Sequence, residues 1–525
     1  MKRRAAVCVL VALAGASPVV SVSCARPPSP ATRTIALASL EDKIRGGWAG
    51  KMIGVSYGAP TEFRFNGRIN DAELTWSPER VTNALRQDDL YVGMTLAETM
   101  DRLGFDATTE QYGDAFRGTE YDLWHANAGA RRLLNLGVKA PTSGHPRHNI
   151  HANDIDFQIE ADFIGLMCPG LPRESNTYCE RVGRVMNHGD GLYGGMFVSG
   201  MYTAAFFETD VRRVVEQGLA CLPHESGYAR IIADVLEWSA RHPADWKAAW
   251  QLVQDRWDRD DSCPDGALRP FNIDARINGA YIALGLLYGG GDVGRTIEIA
   301  TRAGQDSDCN PSTAAGILGV MIGYSGIPDA WKSGIPAVAG QKFQYTQSSL
   351  DDICRSTRER ALTLVRRAGG SVGSASATIP VQAPVSAPLE QWEMGVPDRR
   401  VGVDDPAWRF RGFGRLPGGA GGQPGAGVRV DRAGAEAELS FIGSAVAIVG
   451  DLAEDGGRAD VYLDGILAEA IDAYASRRTH DNDLWHAYGL AQGPHTVKIV
   501  TRGDAAPRST GTRITIREAV VYRAR

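Results

Sequence analysis

Gly46-Gly47-Trp48-Ala49-Gly50-Lys51-Met52-Ile53-Gly54 is the stretch on which the fold turns. Gly46, Gly50 and Gly54 recur at every fourth position, while Ile44, Trp48 and Met52 recur on the opposite side. Four-residue spacing keeps each set on one helical face. Glycine in a helix interior is about 1 kcal/mol less favourable than alanine, so a glycine face calls for compensation by close helix packing. A helix with an apolar stripe and a backbone-smooth stripe has to be covered on both sides, which places it at the centre of an all-α bundle. Ser39 and Asp42 have the spacing of a capping box and set the expected start of this helix. Ala315, Gly319 and Gly323 repeat the four-residue device late in the same region.

Outward from this helix, the pattern stays helical from about Ser39 to Ala368, residues 39–368. Residues 369–388 are rich in Gly, Ser, Ala and Pro and read as a linker. Residues 389–525 carry short runs such as Ala445-Val446-Ala447-Ile448-Val449, Ala459–Leu463, Thr496–Val500 and Ile514–Ile516, separated by glycine turns. That is the pattern of an all-β sandwich of jelly-roll type. The expected architecture is therefore multidomain, an all-α body followed by a β-sandwich. At the other end, Lys2, Arg3 and Arg4 precede an apolar run from Ala5 to Ala16, and Ser21 and Ser23 supply small residues for cleavage. Residues 1–23 read as a signal peptide, and residues 24–38 as a Pro-rich spacer. Cys24 stands where a bacterial lipoprotein would be acylated. The expectation is an exported protein, periplasmic or extracellular, or lipid-anchored at the cell surface, with no other membrane contact.

Lys and Arg number 56 against 62 Asp and Glu, a net charge of −6. No basic excess or patch offers the field that nucleic acid demands. Six of the eight cysteines fall between Cys168 and Cys354, where an oxidising compartment would let them pair. No CxxC pair supports a zinc ribbon.

Two acidic clusters carry the chemistry. The first is Asp88-Asp89, within Arg86-Gln87-Asp88-Asp89-Leu90. Helical spacing puts Asp88 on the face of Leu85, Val92 and Leu96, where a carboxylate is expensive unless something positive meets it. The second is Asp306-Ser307-Asp308, followed by Cys309, Asn310 and Pro311. Asn310 as N-cap and Pro311 at the first helical position would set both carboxylates at a helix N-terminus. Four carboxylates brought together repel, and hard divalent cations with oxygen ligands relieve that repulsion; Mg²⁺ is the usual occupant. Such a cluster polarises a substrate hydroxyl and activates water.

These motifs, in this order, resemble the ADP-ribosylglycohydrolase family over about Ser39 to Tyr324. The resemblance rests on the Gly-rich helix running through Gly50–Gly54 to Gly58-Ala59-Pro60-Thr61-Glu62 and on Gln87-Asp88-Asp89-Leu90 for a Thr-Asp-Asp-Thr box. It continues in Phe163–Gly170 followed by His188-Gly189-Asp190, and in Asp306-Ser307-Asp308-Cys309 opening a Gly/Ala-rich helix. It implies an all-α catalytic domain with two Mg²⁺ ions, Mn²⁺ being the alternative, held by Asp88, Asp89, Asp306 and Asp308 with Gln87 and Cys309 beside them. It implies Glu62 and Asp89 as the catalytic carboxylates, and Asp156, His188, Asp190 and Asn310 as substrate contacts. Gln87, Leu90 and Cys309 depart from the family's threonines, and Cys is a poor Mg²⁺ ligand.

His145, His148 and His151 recur every third residue near Asp154 and Asp156. A zinc site is one reading; a polar loop at the substrate mouth is the other, since Gly144, Pro146 and Asn149 interrupt any helix. The expected partner is a furanosyl glycoside or an ADP-ribosylated substrate, cleaved with metal assistance. The β-sandwich resembles galactose-binding-type modules and reads as a carbohydrate-binding module, which makes a furanosidase acting on pentose-containing glycans the rival. A non-catalytic sugar- or nucleotide-binding protein is the third reading.

Overall fold

Leu37–Gly58 forms one helix, α1, and every residue from Gly46 to Gly58 is buried. In the computed structural model, residues 31–258, 261, 263–419 and 425–525 are described; the expected signal peptide and Cys24 lie outside them. The partner of the glycine face is a second long helix, α5 (Cys309–Gly326). A methyl group added at Gly46, Gly50, Gly54 or Gly58 would collide with the backbone carbonyl oxygen of Gly319, Ala315, Pro311 or Ser307 respectively. Each step of four along α1 is matched by a step of four backwards along its partner, so the two run antiparallel with their backbones touching. The missing side chains are what permit this approach, and dispersion attraction between the two backbones offsets the helix propensity lost.

Around this pair the body adds α2 (Asp88–Leu103), α3 (His125–Asn135) and α4 (Asp190–Ala205), while α6 (Leu350–Arg367) closes it. Trp48, on the apolar side of α1, donates from Nε1 to Thr357 Oγ1 on α6 at 3.2 Å.

Two local expectations change. The helix starts at Leu37, not Ser39, and its cap, Ala36, makes no side-chain bond. Asp42 is engaged elsewhere, accepting from the backbone N–H of Ser325 at 2.9 Å and from its hydroxyl at 2.7 Å. Gly323 is not part of a smooth helical face: its φ of +74° kinks α5, and the Asp42 carboxylate fills the space beside it.

The stretch read as a spacer contributes β1 (Thr32–Ala36), which pairs antiparallel with β3 (Ser376–Pro380), itself beside β2 (Ser371–Val372). The stretch read as a linker is thus tied to the body. Arg173 donates to the Ala383 carbonyl at 2.9 Å, Asn176 to that of Val385 at 2.9 Å and Tyr193 to that of Pro388 at 2.7 Å. Composition cannot reveal this, because the partners lie about two hundred residues away.

The C-terminal region is two antiparallel sheets. One runs in the order Ile466–Asp472, Gly457–Leu463, Gly493–Ala505, Glu436–Gly443, Trp408–Arg411. The other runs Thr479–Ala487, Ala445–Leu452, Ile514–Arg523, Gly427–Val430, Gly414–Leu416, with Val396–Gly402 also paired to Ile514–Arg523. Strand Ala445–Leu452 is buried along its whole length. Val446 and Ile448 enter the sandwich core, whereas Ala445, Ala447 and Val449 pack with Ile150 and Ala267 of the helical body. Burial on both faces removes the usual polar alternation. All six described cysteines outside the leader are free thiols, so the disulfides open to them do not form.

Replacing Gly50 by valine should lower the thermal midpoint sharply or abolish soluble expression, since overpacking costs about 1–3 kcal/mol even where side chains can yield and here the obstacle is backbone. Gly402, with open space beside it, should accept alanine almost silently in the same thermal scan.

Candidate metal-binding active site

Three chain segments deliver the carboxylates. At the end of α1 the turn Ala59–Thr61 leads to Glu62. Thr61 Oγ1 and Ser307 Oγ share a hydrogen bond of 2.8 Å, and the Phe63 N–H donates to Gln305 O at 3.1 Å. Together with the Gly58–Ser307 approach, these bonds fix Glu62 against the Asp306–Asp308 turn. Asp88 and Asp89 form the first turn of α2, where the helix dipole favours negative charge. Asp308 is the N-cap of α5, which begins at Cys309, so Asn310 and Pro311 sit two residues deeper than expected.

The two acidic boxes converge. Ligand atoms of Asp89, Asp308 and Cys309 lie within 4.8 Å of one another, as do those of Glu62, Asp306 and Asp308. Asp89, Asp306 and Asp308 are buried, while Asp88 is half-buried and Glu62 reaches solvent. Asp89 is the more buried of the two: Asp88 is in phase with the buried Val92 and Leu96, but it is the first residue of α2 and stays half-buried at the helix end.

The charges strain against each other. Burial, then Asp306, Asp88 and Asp89, push the Glu62 carboxyl up to about 8. Burial, Asp89 and Asp306 push Asp88 to about 7. Burial, with Asp89 adding to it, raises Asp306 to about 6, and burial, Asp306 and Glu62 hold Asp308 well above the usual range. One oxygen each of Asp89, Asp306 and Asp308 is buried with no hydrogen-bond partner. Orphaned carboxylate oxygens brought this close together fit hard, oxygen-seeking divalent cations. Cys309 donates its thiol to Asp89 Oδ2 at 3.1 Å, a hydrogen-bonding role suited to a soft atom in an oxygen-rich site. Gln87 serves as N-cap of α2 through its backbone, its carbonyl accepting from Leu90 and Tyr91, and makes no side-chain cap bond.

One partner was not foreseen. Lys51, fully buried among the glycines of α1, donates to Asp162 Oδ2 and to the Ile159 carbonyl, both at 2.9 Å, and lies 3.8 Å from Asp89 Oδ1. Burial opposes its charge, but Asp162 and Asp89 outweigh it and its pKa ends raised. Tyr202 completes the group by donating to Asp162 Oδ1 at 2.7 Å. The sequence signal was the single charged residue in the run Gly46–Gly58.

Other expected contacts are engaged structurally. Asp156 accepts from the backbone N–H groups of Ala126 and Asn127 at 3.1 and 3.0 Å and so caps α3. His188 faces Glu390 at 3.3 Å and the His145 ring at 4.8 Å. Asp190 accepts from the Tyr228 N–H at 3.0 Å. Asn310 is fully buried and donates to Asn278 Oδ1 at 2.9 Å. The three histidines read as a possible zinc site do not meet: His145 turns to His188, His148 to Glu469 at 3.2 Å, and His151 to Asp154 at 2.7 Å.

The helical body thus gathers buried carboxylates, three of them with an oxygen lacking a hydrogen-bond partner, into a candidate site for divalent cations. The chain belongs to the ADP-ribosylglycohydrolase family, whose model matches residues 36–366; that family is typically metal-dependent and points to a glycosyl hydrolase acting on a glycan. Among solved structures, an ADP-ribosylglycohydrolase-related protein complex aligns with 62% of this chain and 99% of its own, at 15% identity and a TM-score of 0.41. A carbohydrate-binding module crystallised with calcium and xylotriose aligns with 23% of this chain and 98% of its own, at 11% identity and a TM-score of 0.17. An A type blood alpha-D-galactosamine galactosaminidase of Flavonifractor plautii is 42% identical over 73 residues, which are 14% of this chain and 7% of that protein.

Carboxyl groups whose folded pKa exceeds the unfolded value of about 4 bind protons more tightly when folded, so the stability they confer is present at low pH and falls as pH rises. Metal-free protein should lose thermal stability between about pH 4 and the raised values of about 6 to 8, and millimolar Mg²⁺ should restore it at pH 8. A flat profile with no Mg²⁺ response would contradict the metal centre. Replacing Lys51 by methionine should cost about 3–5 kcal/mol, the range for one broken partner of a buried ion pair, read by denaturant unfolding.

Proposed function

We propose that this protein is a Mg²⁺-dependent glycoside hydrolase that cleaves a ribofuranosyl bond of the ADP-ribosyl type. The observation that carries the proposal is the convergence of Asp89, Asp306 and Asp308, each with an orphaned buried oxygen, with Glu62 beside them at the solvent edge. Asp88, Asp89, Asp306 and Asp308 would hold the cations, with Lys51 balancing Asp162 behind them. Bound divalent ions supply Lewis acidity, which fixes a sugar's vicinal hydroxyls and favours ionisation of water. Glu62 is pinned at the solvent edge through Thr61 and Ser307, in position to donate a proton to a departing oxygen or to take one from water. The next residue, Phe63, packs against Phe271 with ring centroids 5.1 Å apart.

A second reading keeps the site and changes the substrate to a pentofuranoside within a glycan. It is favoured by the aromatic rim beside α2, where Tyr345, half exposed, stands 5.2 Å from Tyr91 and 5.6 Å from Tyr121, a surface suited to stacking on sugar faces. The short stretch shared with the Flavonifractor plautii galactosaminidase points to carbohydrate as well, as does the export signal read in residues 1–23.

The test is release of ADP-ribose from a modified protein, run beside release of pentose from arabinan-type glycans, each with and without Mg²⁺. Mg²⁺-dependent ADP-ribose release is expected, and Glu62→Gln should reduce turnover by roughly 10²–10⁴-fold while Mg²⁺ stabilisation persists. Pentose release alone would install the second reading. No turnover on either, with ligand binding unchanged in Asp306→Ala, would overturn both.

A further inference from the structure

A second group of metal-type side chains shares no residue with the acidic centre. His125 Nδ1, His151 Nδ1, Asp154 Oδ2 and Cys263 Sγ all lie within 4.8 Å of one another. Three chain segments contribute. His125 is the first residue of α3, His151 and Asp154 come from the turn that follows Ile150, and Cys263 comes from the loop before Phe271. Separations are 2.7 Å from His151 Nδ1 to Asp154 Oδ2, 3.3 Å from Cys263 Sγ to His151 Nδ1, and 3.6 Å from His125 Nδ1 to Asp154 Oδ2. Donors at about 2.0–2.3 Å from a tetrahedral zinc ion stand roughly 3.3–3.8 Å from each other. The four atoms are therefore within an ångström or so of a closed coordination shell.

We propose that these four side chains form a structural zinc site. Three observations favour a cation over the alternatives. First, the thiol and the carboxylate both point at the same nitrogen of His151. In a Cys–His–Asp catalytic arrangement the thiol and the carboxylate engage opposite ring nitrogens, whereas a shared positive ion explains donors crowding one point. Second, His125 Nδ1 is buried with no hydrogen-bond partner. Its backbone sits at φ +42°, a conformation that non-glycine residues adopt rarely, and its ring stacks on Phe271 with centroids 5.8 Å apart, so the nitrogen is aimed into the cluster at a backbone cost. Third, one thiolate and one carboxylate balance the charge of a divalent ion.

The donor set selects the metal. Two imidazoles and a thiolate suit zinc and are poor ligands for Mg²⁺, so the two centres would sort their ions by chemistry. Asp265, 3.8 Å from both His125 Nδ1 and Cys263 Sγ, stands as an outer carboxylate. Asp261 holds the Cys263 backbone in place by accepting its N–H at 2.9 Å.

The location gives the role. The same loops carry the β-sandwich. Arg400 donates to the carbonyls of Pro264 and Ala267 at 2.7 and 2.8 Å, His486 to that of Pro146 at 2.6 Å, and Arg477 pairs with Asp122 at 3.1 Å. Zinc would clamp the three loops on which the sandwich rests.

The full chain, purified without chelator from zinc-supplemented cells, should retain a single zinc ion per molecule after gel filtration in Mg²⁺-free buffer. Chelator-stripped protein given Co²⁺ should develop a thiolate-to-cobalt charge-transfer band in the near ultraviolet. Cys263→Ser should remove the band, and Cys309→Ser, which alters the thiol at the acidic centre, should leave it. Should Cys263→Ser fail to fold, His125→Ala, expected to lower zinc content, takes its place. Absence of both zinc and the cobalt band in folded wild-type protein would overturn the proposal, and so would a band lost in Cys309→Ser and kept in Cys263→Ser.

Discussion

The contact between α1 and α5 sets everything else. Four glycines at four-residue spacing let the α1 backbone lie against the carbonyls of Ser307, Pro311, Ala315 and Gly319. The far end of that contact is the functional region. Gly58 abuts Ser307, and the next residues in each direction are the turn to Glu62 and the Asp306–Asp308 turn. Backbone-to-backbone packing has little rotamer freedom, so it positions carboxylates more rigidly than side-chain packing could. The entropic and propensity cost of the glycines is borne at the place where positional accuracy matters most.

Electrostatics explains why so acidic a site can exist inside a folded body. Lys51 emerges from the same glycine-rich helix and neutralises Asp162, with Asp89 at 3.8 Å sharing its field. Helix N-termini meet Asp88, Asp89 and Asp308. These devices do not satisfy all the oxygens, as the orphaned ones on Asp89, Asp306 and Asp308 attest. The fold leaves a charge deficit of the kind a divalent cation fills, and places Glu62 where that deficit meets solvent.

The β-sandwich is built into this arrangement. Strand Ala445–Leu452 presents small residues, Ala445 and Ala447, to the helical body and larger ones, Val446 and Ile448, to its own core. Arg400, His486 and Trp392 then bond to loops of the body, the last donating to Asn153 Oδ1 at 3.0 Å. Those loops begin a few residues from Asp156 and Asn127, which in turn hold α3 in place. Any ligand on the sandwich would be held by an element continuous with the walls of the catalytic body.

Periodicity alone determined that α1 is a central helix with a smooth face and that residues 389–525 form strands, and Asn310 with Pro311 placed Asp306 and Asp308 at a helix start. Those features are local, repeating every two or four residues, and local sterics enforce them. Motif resemblance added the convergence of the two boxes. Tertiary structure decided the rest, because it depends on partners far apart in the chain. It gave Asp42 to Ser325 rather than to its own helix start, and set Asp156 against the N-terminus of α3. It also separated His145, His148 and His151 despite their regular spacing, and gathered His151 with His125 and Cys263 across 112 residues. Spacing along a chain constrains neighbours on one element, whereas a binding site is assembled from several, and only their packing fixes which side chains meet.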